Sequence, residues 1–138
     1  MHNKIPGSAH PFPYAMQVQR EASHLGFDWQ EITGVLDKIE EELTELRDAL
    51  EQGDPIHAQS ELGDLLFAAI SAARFLNTDP ETCLKKATER FEYRLKLVKI
   101  NAENQGISLA GCTPDELDIL WEEAKKLMSQ QLKNGLDN

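Results

Sequence analysis

Two short acidic stretches carry the side chains that are best suited to chemistry. The first stretch, residues 38–45, reads Lys-Ile-Glu-Glu-Glu-Leu-Thr-Glu. A helix turns by about 100° per residue, so four of these charged side chains fall in one sector beside an apolar stripe. That sector holds Lys38, Glu41, Glu42 and Glu45.

The second stretch is Glu-Leu-Gly-Asp at residues 61–64. Glu61 and Asp64 are three residues apart, so they are neighbours on one face of a helix. The residues around them, from 62 to 70, are apolar enough to be buried on nearly every side. Buried carboxylates need a hydrogen-bonding partner or a metal ion.

If the two helices pack antiparallel, four or five carboxylates meet beside a buried apolar surface. Such a group repels itself unless a cation lies within it. Hard oxygen ligands without Cys or neighbouring His favour Mg²⁺, Mn²⁺ or Ca²⁺. The alternative is a solvated acidic helix face. The apolar surroundings of Glu61 and Asp64 favour the metal site.

The elements that must position these acids are helices. Helix starts are predicted at an Asp28 cap with Glu31 as its capping-box partner, at Asp54-Pro55, at Asp79-Pro80 and at Thr113-Pro114. The predicted helices cover about 14–25, 28–52, 55–76, 80–104 and 114–133, and glycines 26, 53 and 106 close three of them. No alternating strand pattern interrupts them. The sequence therefore predicts an all-α antiparallel helical bundle.

Composition limits the possible functions. The chain has 138 residues and a net charge of −10, with 41% hydrophobic residues, which fits one globular domain. The negative charge argues against a nucleic-acid-binding protein and against binding to anionic membranes. The longest apolar run is too short to span a bilayer, and no signal-peptide pattern opens the chain. Cys83 and Cys112 have no metal-ligand spacing, and we expect reduced thiols in a cytoplasmic protein.

The pattern Glu-Glu-x-x-Glu followed by Glu-x-x-Asp resembles the MazG family of nucleoside triphosphate pyrophosphohydrolases. The resemblance covers about residues 14–128 and includes further short matches along the chain. These are Gly26-Phe27-Asp28-Trp29, Lys38 before Glu41, Gly63-Asp64-Leu65-Leu66-Phe67, Arg90-Phe91-Glu92-Tyr93-Arg94 and Leu120-Trp121-Glu122-Glu123-Ala124-Lys125.

The resemblance implies a set of site residues. Glu42, Glu45, Glu61 and Asp64 are the implied ligands of Mg²⁺, with Mn²⁺ as a possible substitute. Glu41 is either an acid outside the ligand set or the general base, and Glu42 is the other candidate catalytic residue. The implied substrate-binding residues are Lys38, His57, Arg90, Phe91, Arg94 and Trp121.

Several of these residues could have a structural role instead of a role in substrate binding. Lys38 could only neutralise its acidic neighbours, and His57 could be a capped, exposed histidine. Arg90 and Arg94, one turn apart, could form surface pairs with nearby glutamates, and Phe91 could be a core residue. Trp121 could be a core residue, but the resemblance implies that it lies near the nucleotide, so we expect it to project from the bundle edge. We expect Trp29 to pack at a helix entry. Ser60, Tyr93 and Leu95 depart from the pattern common in the family, which affects nucleotide preference more than metal binding.

The implied activity is hydrolysis of a nucleoside triphosphate, such as ATP, between its α- and β-phosphates, for clearing the nucleotide pool. One alternative is a narrower relative acting on dUTP, dCTP or phosphoribosyl-ATP. Another is a non-catalytic helical module that only dimerises. We expect a homodimer, because the predicted third helix is apolar on nearly every side from Leu62 to Ala73 and the resemblance implies association through such helices. The negative charge predicts no nucleic-acid or membrane partner. We expect a lead-in or inter-domain linker at 1–13, a catalytic domain at 14–133 resembling the C-terminal MazG copy, and a disordered tail at 134–138.

Overall fold

Prolines and aspartates determine where most of the helices begin. The computed structural model describes residues 9–136, and in these residues it contains α-helices and one 3₁₀ turn but no strand. The helices are α1 (Pro11–His24), α2 (Ile32–Glu51), α3 (Pro55–Phe75), α4 (Pro80–Asn104) and α5 (Pro114–Leu136), with the 3₁₀ turn at Leu109–Gly111. The prediction of an all-α chain is confirmed.

Three of the predicted helix caps are present. Asp54 accepts a 3.0 Å hydrogen bond from the backbone N–H three residues later, at the start of α3. Asp79 does the same at the start of α4, at 3.2 Å. Thr113 and Glu116 form a reciprocal capping box, in which the Glu116 N–H donates to Thr113 Oγ1 at 3.2 Å and the Thr113 N–H donates to Glu116 Oε1 at 3.4 Å.

The predicted cap at Asp28 is wrong. The N-cap of α2 is Glu31, in extended backbone, and within residues 9–136 no side-chain cap hydrogen bond forms there. The Asp28 carboxylate is instead bound by the guanidinium of Arg74, with nitrogen–oxygen distances of 3.0 and 3.1 Å. A partner 46 residues away outweighs the local capping pattern because a two-point charged hydrogen bond is stronger than a single cap.

The helix ends differ from the predicted bounds at both termini. The first helix, α1, begins at Pro11, three residues before the predicted Tyr14, and α5 continues to Leu136. The predicted lead-in therefore overlaps α1 from Pro11 to Pro13, whereas residues 1–8 lie outside the described residues. Residues 137–138 of the predicted tail also lie outside them. No described helix has the length and apolar content needed to cross a membrane.

The chain divides after Cys83 into two compact units. In the first unit, α2 and α3 form an antiparallel pair joined by the three-residue link 52–54, in which Gly53 has a left-handed φ of 69°. This pair makes most of the contacts between elements, and α1 packs on α3. In the second unit the core consists of Val98, Ala102, Leu120 and Ala124.

Candidate metal centre

The buried side of α2 has an acid at its middle. Val35, Glu42 and Ala49 are the buried residues of this helix, at a spacing of seven, and Glu42 is only 5% exposed. A seven-residue spacing keeps side chains on the same side of a helix, facing its partner. The helix therefore presents a carboxylate within its apolar contact surface toward α3.

Lys38 is bound to two of the predicted acids. Its ammonium lies 3.0 Å from a Glu42 carboxylate oxygen and 3.3 Å from one of Glu41. These hydrogen bonds, first that of Glu42 and then that of Glu41, raise the pKa of Lys38 above its ordinary value. Glu41 itself is on the solvent side, with 57% of its side chain exposed. Lys38 therefore joins a buried carboxylate to an exposed one.

The facing helix, α3, supplies Glu61. The Asp54 cap and Pro55 start this helix, and Glu61 lies almost two turns later with 8% of its surface exposed. His57 lies one turn before it, with Nε2 2.9 Å from Glu61 Oε1. The imidazole thus fixes one oxygen of Glu61 and leaves the other facing inward.

Three carboxylates converge between the two helices, and we refer to Glu42, Glu45 and Glu61 as the carboxylate triplet. One oxygen from each lies within 4.8 Å of the other two. Glu42 Oε2 and Glu61 Oε2 are buried and have no hydrogen-bonding partner among the described residues. A buried carboxylate oxygen without a partner is costly, and a cation between the helices would satisfy both.

The pKa values of the triplet also reflect its uncompensated negative charge. The pKa of Glu45 is raised to about 7, first by a hydrogen bond with Glu61, then by burial and by the charges of Glu42 and Glu61. Burial on its own raises the pKa of Glu42, but hydrogen bonds led by that of Lys38 outweigh it, and the net pKa is below the ordinary value. The raised pKa of Glu45 thus reflects the proximity of three carboxylates with no cation between them.

These residues fit a hard divalent cation. The triplet supplies only carboxylate oxygens, which are the ligands that Mg²⁺, Mn²⁺ and Ca²⁺ prefer. The two unpaired oxygens and the raised pKa of Glu45 are consistent with a site that a cation neutralises on binding.

Asp64, the fourth predicted ligand, is exposed and is not one of the three residues whose oxygens converge. It lies on α3 one turn beyond Glu61. Its predicted role as a ligand stays a prediction.

Four predicted substrate-binding residues lie in the second unit. Arg90 and Phe91 are exposed on α4, whereas Arg94 is half-buried and donates from Nε to the Met128 sulfur at 3.3 Å. The Arg94 guanidinium lies 6.0 Å from the centre of the Trp121 ring. Their roles in substrate binding stay predictions.

Trp121 is half-buried, and its role as a nucleotide contact stays a prediction. Its ring packs on the core of the second unit and lies 5.1 Å from the Phe91 ring, centre to centre. Trp29 is the more exposed of the two tryptophans, at 38%. It covers Gly34 on the first turn of α2, as expected for a residue at the helix entry. Charged neighbours in the sequence concealed the inward face of Trp121, since its ring partner Phe91 comes from another helix.

Sequence reasoning missed two polar residues of the first unit, Gln19 and Arg74. Gln19 is 5% exposed, and its amide donates to the backbone oxygen of Phe67 at 2.9 Å. Arg74 binds both Gln19 and Asp28. The local sequence gives no signal for either residue, because each partner lies 46 to 55 residues away.

Taken together, the fold and the site define an all-α protein whose central antiparallel helix pair can hold a divalent cation between carboxylates. The chain belongs to the family of the MazG nucleotide pyrophosphohydrolase domain, which matches residues 30–99, or 70 of the 138 residues. The matched segment contains both acidic stretches.

Similarity to known proteins extends beyond that segment. The chain is 45% identical over 111 residues to the nucleoside triphosphate pyrophosphohydrolase/pyrophosphatase MazG of Thermotoga maritima, covering 80% of this chain and 42% of that protein. It is 33% identical over 124 residues to the nucleoside triphosphate pyrophosphohydrolase of Escherichia coli K12, covering 88% of this chain and 47% of that protein. The chain thus spans less than half the length of these curated relatives.

Proposed function

We propose that this chain hydrolyses nucleoside triphosphates between the α- and β-phosphates, giving a nucleoside monophosphate and pyrophosphate, with Mg²⁺ as its cofactor and Mn²⁺ as a substitute. The observation that carries the proposal is the carboxylate triplet, with three oxygens within 4.8 Å and two buried oxygens unpaired. Membership of the MazG family supports the choice of reaction. Two relatives that are named nucleoside triphosphate pyrophosphohydrolases support it further.

In this proposal Glu42, Glu45 and Glu61 hold the cation, and Asp64 completes the ligand set from the exposed side. Bound Mg²⁺ supplies positive charge against the triphosphate and lowers the pKa of water. His57 keeps Glu61 oriented through its 2.9 Å contact, and it can also reach a substrate because half of its side chain is exposed.

Lys38 and Glu41 act on the solvent side of the triplet. Lys38 donates to a phosphate oxygen, and its present bonds to Glu41 and Glu42 keep its ammonium on that side of α2. Glu41 accepts the proton of the attacking water, since its carboxylate is exposed and is held by Lys38. Glu41→Gln should lower kcat by about 100-fold or more, the scale of losing a general base. Glu40→Gln, on the exposed side of the same helix, is the matched control.

Arg90, Phe91, Arg94 and Trp121 enter the proposal as nucleotide ligands of the second unit. A guanidinium matches phosphate oxygens with two parallel hydrogen bonds, so Arg90→Lys should raise KM although the charge is kept. Arg94 already contacts Met128 and the Trp121 ring, so its substitution should change KM and stability together. Unchanged KM in both variants would remove these arginines from the substrate site.

We further propose that the chain forms a homodimer through apolar surface on α2 and α3. Leu36, Leu43 and Leu50 recur every seven residues along α2 and are exposed, as are Leu62 and Leu66 on α3. A row with this spacing is the pattern that pairs one helix with another. Light scattering should show a dimer at micromolar concentration for the wild type and a shift to monomer for Leu43→Glu. A monomeric wild type would contradict the dimer.

The experiment that tests the reaction identifies its products. Wild-type protein with Mg²⁺ and a panel of triphosphates, followed by ³¹P NMR, should show a monophosphate and pyrophosphate, and EDTA should abolish both. The panel includes dUTP, dCTP and phosphoribosyl-ATP, and turnover of only one of them would replace the general activity with the narrower one. Absence of turnover for every substrate would favour a non-catalytic dimerising module. Because nucleoside triphosphates are cytoplasmic metabolites, we place the activity in the cytoplasm, in clearing the nucleotide pool.

A further inference from the structure

A second group of polar side chains, with little solvent exposure, lies in the first unit apart from the carboxylate triplet. We refer to Arg74, Asp28 and Gln19 as the Arg74 cluster. The guanidinium of Arg74 donates to both Asp28 oxygens at 3.0 and 3.1 Å, and its Nε donates to Gln19 Oε1 at 2.8 Å. The side chains of Arg74 and Asp28 are only 11% and 16% exposed. The cluster joins α1, the link between α1 and α2, and the last turn of α3.

Stability alone does not account for such a cluster. Buried ion pairs often contribute little net stability, because desolvating the charges offsets their attraction. Their best-supported use is to specify one geometry among several. The hydrogen bonds from Arg74 also hold the pKa of Asp28 below its ordinary value, so the pair stays charged at neutral pH.

The location of the cluster suggests which geometry is specified. The α2–α3 pair is tied at one end by the three-residue link 52–54. At its other end, the start of α2 lacks a side-chain cap. There the Trp29 N–H donates to Asp28 Oδ1 at 2.9 Å. The Trp29 ring lies so close to α2 that a Cβ at position 34 would come within 2.7 Å of it. The cluster thus connects the start of α2 to the end of α3, which is the end of the helix pair away from the link 52–54.

The carboxylate triplet requires that α2 and α3 be held in a fixed relative position. Its three acids repel one another across the helix pair, and several of the buried residues on α2 and α3 are small, among them Ala49, Ala58 and Ala68. Small side chains let helices approach closely, but they interdigitate little and specify rotation and sliding weakly. Glu42 is ten residues after the start of α2, about 15 Å along the helix, so a small change at the helix entry moves it relative to α3.

We propose that the Arg74 cluster is a positioning device that fixes the rotation and axial position of α2 against α3, so that Glu42 and Glu45 lie opposite Glu61. This inference rests on the proposed metal site. Arg74, Asp28 and Gln19 touch neither the cation nor the substrate in this account. They act through Trp29 and the first turn of α2, and their removal should widen the spacing of the triplet oxygens without removing a ligand.

The test measures Mn²⁺ binding by isothermal titration calorimetry, with folding verified by circular dichroism. Arg74→Gln and Asp28→Asn should each weaken Mn²⁺ binding by about 10-fold or more, the scale seen when groups supporting metal ligands are removed. Arg74→Lys keeps the charge but loses the two-point bond, so its affinity should lie between those of wild type and Arg74→Gln. The double variant should be no weaker than the worse single one, since both break the same contact. Arg47→Gln, an exposed arginine on α2, is the matched control and should bind like the wild type.

A second measurement separates this inference from the metal site itself. Hydrogen exchange at the amides of residues 34–40 should be faster in Arg74→Gln and Asp28→Asn than in wild type or Arg47→Gln, with no metal present. If the wild type binds no Mn²⁺, the metal site fails, and hydrogen exchange alone decides whether the cluster holds α2. Wild-type Mn²⁺ affinity in folded Arg74→Gln and Asp28→Asn would overturn the inference. So would failure of the Gln, Asn and Lys variants to fold even in excess Mn²⁺, because the cluster would then be a general folding requirement.

Discussion

Replacement of the two tryptophans tests the division of labour that the structure gives them. In Trp121→Ala the second unit loses a ring that packs against its core and lies tilted against the Phe91 ring. In Trp29→Ala the first unit loses a ring that is more than one-third exposed. We therefore expect Trp121→Ala to be the more destabilising change, which is the opposite of what the sequence pattern predicts.

The size of each effect follows from these contacts. Removing a fully buried tryptophan costs about 3–5 kcal/mol, and an aromatic pair contributes about 0.5–1.5 kcal/mol beyond burial. Trp121 is half-buried but pairs with Phe91, so about 3 kcal/mol is reasonable for its loss. Replacing Trp29 by alanine should lower the free energy of unfolding by about 1 kcal/mol, because less of the Trp29 ring is buried. For a chain of this size the difference is on the order of 8 °C in Tm.

Urea unfolding followed by far-UV circular dichroism measures both free energies. Trp121→Phe, which keeps an aromatic ring beside Phe91, is the control and should recover part of the loss. A double-mutant cycle of Trp121→Ala with Phe91→Ala should give a coupling energy of about 0.5–1.5 kcal/mol. If Trp121→Ala keeps wild-type stability and only raises KM, the ring is not part of the core. The sequence-based expectation for Trp121 would then be right.

Three further predictions concern the helix pair of the first unit. In EDTA, Glu45→Gln should raise Tm at pH 8 and leave it nearly unchanged near pH 4.5. The folded-state pKa of about 7 lies above the ordinary 4.5, so the stability of the metal-free protein falls as pH rises through this range. A lower Tm at pH 8 would refute this reasoning. Lys38→Gln should lower the Tm of the metal-free protein at pH 8, because Glu42 loses the ammonium group beside it. Added Mg²⁺ should recover most of the loss. Equal losses with and without Mg²⁺ would argue against a shared electrostatic cause. Asp54→Ala should lower the free energy of unfolding in urea by about 1 kcal/mol, because it removes the cap of α3. Asp54→Ser, which can still cap the helix, should stay near wild type. Equal losses in both variants would mean that the cap is not the cause.

Local chemistry explains how much of the fold the sequence predicts. Asp54, Asp79 and Thr113 each bind a backbone N–H three residues ahead, so the information needed to start these helices lies within one turn. The convergence of Glu42 and Glu61 follows from helical periodicity together with a short link that makes the two helices antiparallel. Such features require no knowledge of distant partners.

The features that sequence reasoning missed depend on distant partners. Asp28 has the pattern of a helix cap, but Arg74, 46 residues away, binds it instead. Trp121 has charged neighbours in the sequence, whereas its packing partner Phe91 comes from the preceding helix.

The location of a bound cation tests the central claim most directly. A crystal soaked in Mn²⁺ and measured at a wavelength where manganese scatters anomalously should show a peak between Glu42, Glu45 and Glu61. The peak should lie about 2.0–2.6 Å from a carboxylate oxygen of each residue, the range found for hard divalent cations. It should be absent from crystals of Glu61→Gln and present in those of Glu40→Gln. A wild-type crystal with no peak at the carboxylate triplet, or with peaks only on other acidic surfaces, would contradict the metal site on which the proposed hydrolysis depends.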